Sequence, residues 1–267
     1  MTTYLDLYRY RELFGSLFRR DLRAKYKGSV LGLAWSLAHP IVLMLVYLLV
    51  FSVMLEIQTT ADYDHYWLFL LAGLPVWVFF ATSLQSASRS LLENANLIRK
   101  VRFPRQLLPL SMVATQLVGF AVMLAIVVVL SLVYVPDGRD TVWLAIPLAA
   151  LAACLVAGLA LAVASLNAVY RDVEHLVAAL LLPWFFLTPV LYSLESIPGV
   201  EDHPRLINLI HYGNPLTPAI EAVRDPLFFG RLPAAGDAVY LVVSALLALA
   251  LGAFVFSRVD DRVAVEV

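Results

Sequence analysis

The residues able to do chemistry are few and widely spaced. Five histidines, His39, His65, His175, His203 and His211, are dispersed over 267 residues with no ligand spacing between them. The three lysines, Lys25, Lys27 and Lys100, each lack the preceding glycine that a G-x-x-x-x-G-K-[ST] phosphate loop requires. No HExxH, CxxC or GxSxG pattern occurs, so the sequence points to no metal on this chain and to no nucleophilic catalysis. The single cysteine, Cys154, cannot form an internal disulfide, and its Ala- and Leu-rich surroundings predict a core position.

Four other groups remain. Glu174 and His175 adjoin Arg171 and Asp172, where they form either a proton relay or, as their place at a helix end favours, a set of ion pairs and caps. Glu56, Asp62, Asp64 and His65 gather in one stretch, which a solvated acidic turn explains. The segment ENANLIRKVRFPRQLLPL at 93–110 surrounds Leu97, Ile98, Val101 and Phe103 with Arg99, Lys100, Arg102 and Arg105. An apolar ridge with a basic rim suits a peg that seats in a groove of another protein. The same pattern suits a clamp on anionic lipid, and the sequence leaves both readings open.

Aromatic residues form the last group. Trp35, Ser36, His39, Tyr47 and Phe51 fall near one helical face, while Trp184, Thr188 and Tyr192 repeat every four residues beside Phe185. Flat apolar ring faces interleaved with hydroxyls suit a path for sugars. Packing between helices is the equal alternative for Tyr47, Phe51, Trp184 and Phe185, and Trp35, Trp67 and Trp143 serve as interfacial anchors.

The elements that position these groups follow from composition. Hydrophobic residues make up 61% of the chain and charged ones 15%, more apolar surface than a water-soluble fold can bury. With 19 basic against 20 acidic residues, a nucleic-acid binder is excluded. An all-α integral membrane protein remains. Uncharged runs long enough to cross a bilayer occur at 33–55, 66–88, 107–135, 141–166, 176–194 and 238–257, giving six expected spans. Before the first, Leu5, Tyr8, Leu13, Leu17, Phe18 and Leu22 recur at helical spacing among Arg and Lys, predicting an amphipathic helix over 4–27 on the membrane surface. Thirty residues of this kind do not match a cleaved signal peptide.

With the amino terminus inside, 15 of the Lys and Arg residues fall on the cytoplasmic side and 4 outside, which predicts both termini in the cytoplasm. The stretch 195–230 is proline-punctuated, and its apolar pieces are too short to cross, so short re-entrant helices are expected there. Gly28 and Gly32 supply a bend or a close helix approach before the first span.

Five segments together carry a resemblance. RDLRAKYKGSVLGLAW at 20–35, NANLIRKVRFPRQLLPL at 94–110, SLNAVYRDVEHLV at 165–177, TPVLYSLESIP at 188–198 and NPLTPAIEAVRDPLFFG at 214–230 resemble, in order, the signatures of type-2 ABC transporter permeases. The similar branch exports O-antigen, capsule or teichoic acid. The resemblance implies a homodimer in the bacterial inner membrane, paired with two cytoplasmic ATPase subunits that hold ATP and Mg, while this chain holds no cofactor. It implies that the ATPase seats on a coupling helix at 94–102, through Asn94, Asn96, Leu97, Ile98, Arg99, Lys100 and Arg102. Arg20, Asp21, Arg171 and Asp172 are expected at the cytoplasmic mouth, and Tyr47, Phe51, Trp184, Phe185, Thr188 and Tyr192 along the path of a lipid-linked glycan. Competing expectations are an exporter of drugs or small lipids on the same fold, and a polytopic membrane transferase built on the acidic group at 56–65.

Overall fold

The computed structural model describes residues 9–27, 38, 41–43, 45–46, 49–50, 65–194 and 204–266. The expected first span, with Tyr47 and Phe51, the acidic residues at 56–64 and the Gly28–Gly32 pair therefore lie wholly or largely outside the described residues.

The described residues form helices joined by short turns, with no strand among them. In chain order they are α1 (Arg11–Tyr26), α2 (Tyr66–Glu93), α3 (Ala95–Lys100), α4 (Leu107–Tyr134), α5 (Ala145–Val169), α6 (Val173–Leu187), α7 (Pro204–Gly213), α8 (Leu216–Arg224) and α9 (Ala235–Glu266). A π-turn over Asp225–Phe229 follows α8. Among the described residues, four stretches, Tyr66–Glu93, Leu107–Tyr134, Val142–Val169 and Ala235–Val259, are long and apolar enough to cross a bilayer.

α2 is the central helix. Leu68 to Val76 are buried without a break, so this part of the helix presents no exposed face. Around it pack α4, α5, α6 and α8. The other long helices each keep an apolar outward face, such as Ile126, Val129 and Val133 on α4 and Leu246, Leu247 and Leu251 on α9. Cys154 belongs to such a face: it is exposed, not in the core as its neighbours in sequence predict. Where lipid is the solvent, an apolar neighbourhood does not distinguish inside from outside.

α5 and α9 form the most extensive helix pair. A Cβ on Gly158 would stand 2.2 Å from the carbonyl carbon of Ala248, and one on Gly252 would stand 2.3 Å from the Gly158 oxygen. Backbone meets backbone at that crossing, which only glycine permits.

The fifth uncharged run is not a single helix. α6 has 15 residues, about 22 Å at 1.5 Å per residue. It stops at Leu187, and Thr188 is extended at φ −98° and ψ 130°. Pro189 follows, and its ring disfavours the helical conformation in the residue before it. The remainder of the run, up to Leu194, folds back against α2, where Tyr66 donates a 2.6 Å hydrogen bond to the Leu191 carbonyl.

Candidate functional site

At one end of the bundle, α3 follows α2 through Asn94, which is buried and donates from Nδ2 to the Ser90 carbonyl at 2.8 Å. Asn94 thus fixes the angle of the turn. Asn96, Arg99, Lys100 and Arg102 are exposed, whereas Leu97 and Ile98 are half-buried and pack on the core. The peg therefore presents a basic, polar outer surface on which Val101 is also exposed, and tucks Leu97, Ile98 and Phe103 inward.

Two links tie this end together. Asp21 on α1 is buried, ion-paired with Arg20 at 2.8 Å, and accepts a 2.8 Å bond from the Ser111 hydroxyl on α4. Lys25 donates to Gln116 at 2.6 Å, and Gln116 donates to Ser86 at 2.8 Å, joining α1, α4 and α2. Arg171 and Asp172 form the exposed turn between α5 and α6, and no hydrogen bond or ion pair connects them to Arg20 or Asp21. The working residue beside them is Asn167. It is fully buried, donates to the Ser88 carbonyl at 2.9 Å and accepts the Glu174 amide at 2.8 Å. Glu174 in turn holds Arg89 of α2 at 2.7 Å, an ion pair between α6 and α2.

α6 carries the expected aromatic face. Phe185 and Thr188 are buried, Trp184 and Tyr192 half-buried. Trp184 lies edge-on to Phe80 at 5.1 Å, and Phe185 sits 5.3 Å from Trp77. Trp184 Nε1 donates to Asn214 Oδ1 at 2.9 Å, and Asn214 Nδ2 donates to the Thr188 hydroxyl at 2.8 Å. Tyr192 donates to the Phe186 carbonyl at 3.0 Å. Within one chain these side chains pack and hydrogen-bond; the exposed face of α6 consists instead of Leu176, Leu180, Leu182, Phe186 and Leu187. Beside it Leu180, Pro183, Trp184, Leu187, Leu209 and Asn214 line an apolar recess of about 420 Å³.

The other end of the bundle holds polar groups that sequence spacing alone does not single out. Arg224, the last residue of α8, is 2% exposed. Its Nη1 and Nη2 donate to the carbonyls of Pro189 and Val190 at 2.9 and 3.0 Å, and its guanidinium lies 3.9 Å from the centre of the Phe69 ring. A Cβ on Gly73 would stand 2.2 Å from Nη2, so the glycine makes room for the guanidinium. Asp225 is bound by Arg231 through Nε and Nη2, both at 2.9 Å. Burial pushes the Asp225 carboxyl up, and Arg231 opposes that rise.

His211, Glu221 and Asp237 meet nearby, at a cavity of about 380 Å³. Burial pushes the Glu221 carboxyl up, with His211 and Arg224 acting against it. Burial alone would lower the His211 imidazole; its hydrogen bond to Asp237 and the charges of Glu221 and Asp237 outweigh that and raise it. For Glu221, Arg224 and Asp225 the signal that could have found them is a charge inside an apolar segment, since these three interrupt the run from Leu216 to Phe229.

Residues 12–228 match the family model of the ABC-2 type transporter. The chain is 34% identical over 260 residues to an O-antigen export system permease protein RfbA of Myxococcus xanthus, covering 96% of each. It is 32% identical over 223 residues to a protein of the same name from Klebsiella pneumoniae, covering 83% of this chain and 82% of that one. A second Klebsiella pneumoniae protein of that name is 29% identical over 256 residues, 95% of this chain and 94% of its own length. A match spanning the coupling turn, the Asn167 segment and the Arg224 region covers more than half the chain and makes this protein a member of the ABC-2 type transporter family of membrane proteins.

Proposed function

We propose that this chain is the membrane-spanning permease subunit of an ATP-driven exporter that moves a lipid-linked polysaccharide, an O-antigen or similar cell-envelope glycan, out of the cytoplasm. The observation that carries this is the near-full-length likeness to permeases named for O-antigen export. On this account the chain crosses the bacterial inner membrane six times with both termini in the cytoplasm. It works as a homodimer, and ATP and Mg are bound by two separate cytoplasmic ATPase subunits.

The mechanism starts from what the chain lacks: it carries no phosphate loop, so energy enters as a mechanical push. The ATPase seats on the exposed surface of α3, around Asn96, Arg99, Lys100 and Arg102. Closure of the ATPases on ATP draws the two pegs together, and α3 turns with α2 because Asn94 is bonded back to Ser90. The Arg89–Glu174 pair and the Asn167 bonds pass that movement to the start of α6. α6 then shifts against α2, a two-state packing change that opens the route between the two protomers. The glycan slides along the exposed face of α6, with Trp184 and Tyr192 at its edge and Tyr47 and Phe51 contributed by the first span. Arg20, Asp21, Arg171 and Asp172 frame the cytoplasmic mouth.

Deletion of the gene from its native host tests this. Surface glycan is expected to disappear while lipid-linked polymer accumulates in the cytoplasm, and the restored gene is expected to reverse both. Unchanged surface glycan in the deletion strain contradicts the assignment.

A further inference from the structure

His211, Glu221 and Asp237 have no part in the transport scheme, yet three separate elements deliver them to one place. His211 comes from the end of α7, Glu221 from α8 and Asp237 from the first turn of α9. Nothing in their sequence spacing marks a ligand motif; the fold alone assembles them. His211 Nδ1 stands 3.4 Å from Glu221 Oε2, and Nε2 stands 2.6 Å from Asp237 Oδ1. One ligand atom from each residue lies within 4.8 Å of the others. The three side chains are 15%, 23% and 7% exposed, so the group is held by the protein and not splayed into solvent.

Two ligand atoms bound to one tetrahedral zinc ion at about 2.0–2.1 Å stand roughly 3.3 Å apart. The 3.4 Å between His211 Nδ1 and Glu221 Oε2 already has that value. The opposite ring nitrogen is placed to donate its proton to Asp237, the carboxylate–histidine arrangement that orients a metal-binding imidazole and raises its basicity. An imidazole with carboxylates is a donor set for zinc-class ions, whereas calcium takes six to eight oxygens. The adjoining cavity of about 380 Å³, lined by all three residues, has room for the waters that complete the coordination.

We propose that His211 and Glu221, with Asp237 orienting the ring, bind one divalent transition-metal ion of the zinc class at the end of the bundle that holds α7 and α8. The bound ion fastens these two short helices to the start of α9. The site rests on this geometry and not on the identity of the exported substrate, so its failure leaves the transport assignment standing.

The test uses full-length protein purified in mild detergent without a polyhistidine tag and stripped with a chelator. Zinc chloride is titrated calorimetrically, and cobalt chloride is followed by visible absorption, with magnesium and calcium chlorides as controls. The expected result is one saturable zinc site per chain, a cobalt band that zinc displaces, and a melting temperature that zinc raises and magnesium and calcium do not. H211A is expected to abolish the band, and E221Q to weaken binding at least about tenfold. D237N is expected to weaken it roughly 10- to 100-fold, the range for a carboxylate that orients a metal-bound histidine. Should H211A fail to fold, E221Q decides, since it preserves the size of the side chain. No saturable binding by the wild-type chain overturns the proposal, as does binding unchanged in H211A and E221Q. Stabilisation by low pH with no response to metal also overturns it, making the cluster a link held by a proton.

Discussion

The two ends of the bundle treat their polar groups in opposite ways. Around α8, the charged and amide side chains are turned inward: Arg224, Asp225 and Asp237 are buried and bonded within the chain, and Asn214 clamps Trp184 to Thr188. Around α3, Asn94, Asn167, Asp21 and Gln106 are buried, while Asn96, Arg99, Lys100, Arg102, Arg171 and Asp172 face outward. A hydrogen-bonded network in a low-dielectric setting makes a rigid unit, because each broken bond leaves an unpaired buried group. An outward-facing polar surface keeps its water when the chain is alone and stays accessible to a partner. One end is built as a lock and, on the proposed mechanism, the other serves as a lever, with α6 running between them.

The comparison is broken most severely by Arg224→Ala. That change leaves the carbonyls of Pro189 and Val190 unpaired beneath Phe69 and opens a cavity, at a cost of about 3 kcal/mol or more. Thermal unfolding in detergent should show it, and Arg224→Lys should recover only part, since an ammonium cannot present two parallel donors. Gly158→Leu comes next, at about 3 kcal/mol, because the new side chain meets the Ala248 backbone; a stability close to wild type would mean that α5 and α9 do not cross there. Asn167→Ala should cost about 2 kcal/mol through two lost bonds, and it should lower export more than folding if the α2–α6 link carries movement.

The smallest stability effects belong to the lever. Lys100→Glu with Arg102→Glu changes two exposed positions, so unfolding should shift by roughly 0.5 kcal/mol or less while export falls steeply. That pair is a cleaner probe than Ile98→Asp, because Ile98 packs on the core and its change mixes folding with coupling. Glu174→Gln removes a half-exposed ion pair and should cost about 1 kcal/mol or less, measured by the same unfolding assay.

Much of this organisation is legible in the sequence where the bilayer imposes it. Uncharged runs mark four long helices, and the short helices α3, α7 and α8 fall between them. What fails is inference about which side of a helix faces in. Cys154 lies outward, since lipid and protein interior are equally apolar and hydropathy cannot separate them. Helix ends depend on local rules: Pro189 ends α6 seven residues before the run of uncharged residues stops. The α5–α9 crossing at Gly158 and Gly252 and the meeting of His211 with Asp237 depend on long-range pairing that no window of sequence contains.

The central claim is that the outward-facing surface of α3 receives an ATPase that drives this permease. The most direct measurement purifies the tagged chain from its native membranes in mild detergent and compares it with the Lys100→Glu, Arg102→Glu variant, scoring partners by mass spectrometry and the eluate for vanadate-sensitive ATP hydrolysis. The account predicts a stoichiometric ATPase subunit with the wild type and its loss from a folded variant. A wild-type chain that purifies alone in several detergents, or an ATPase retained equally by the variant, would contradict it.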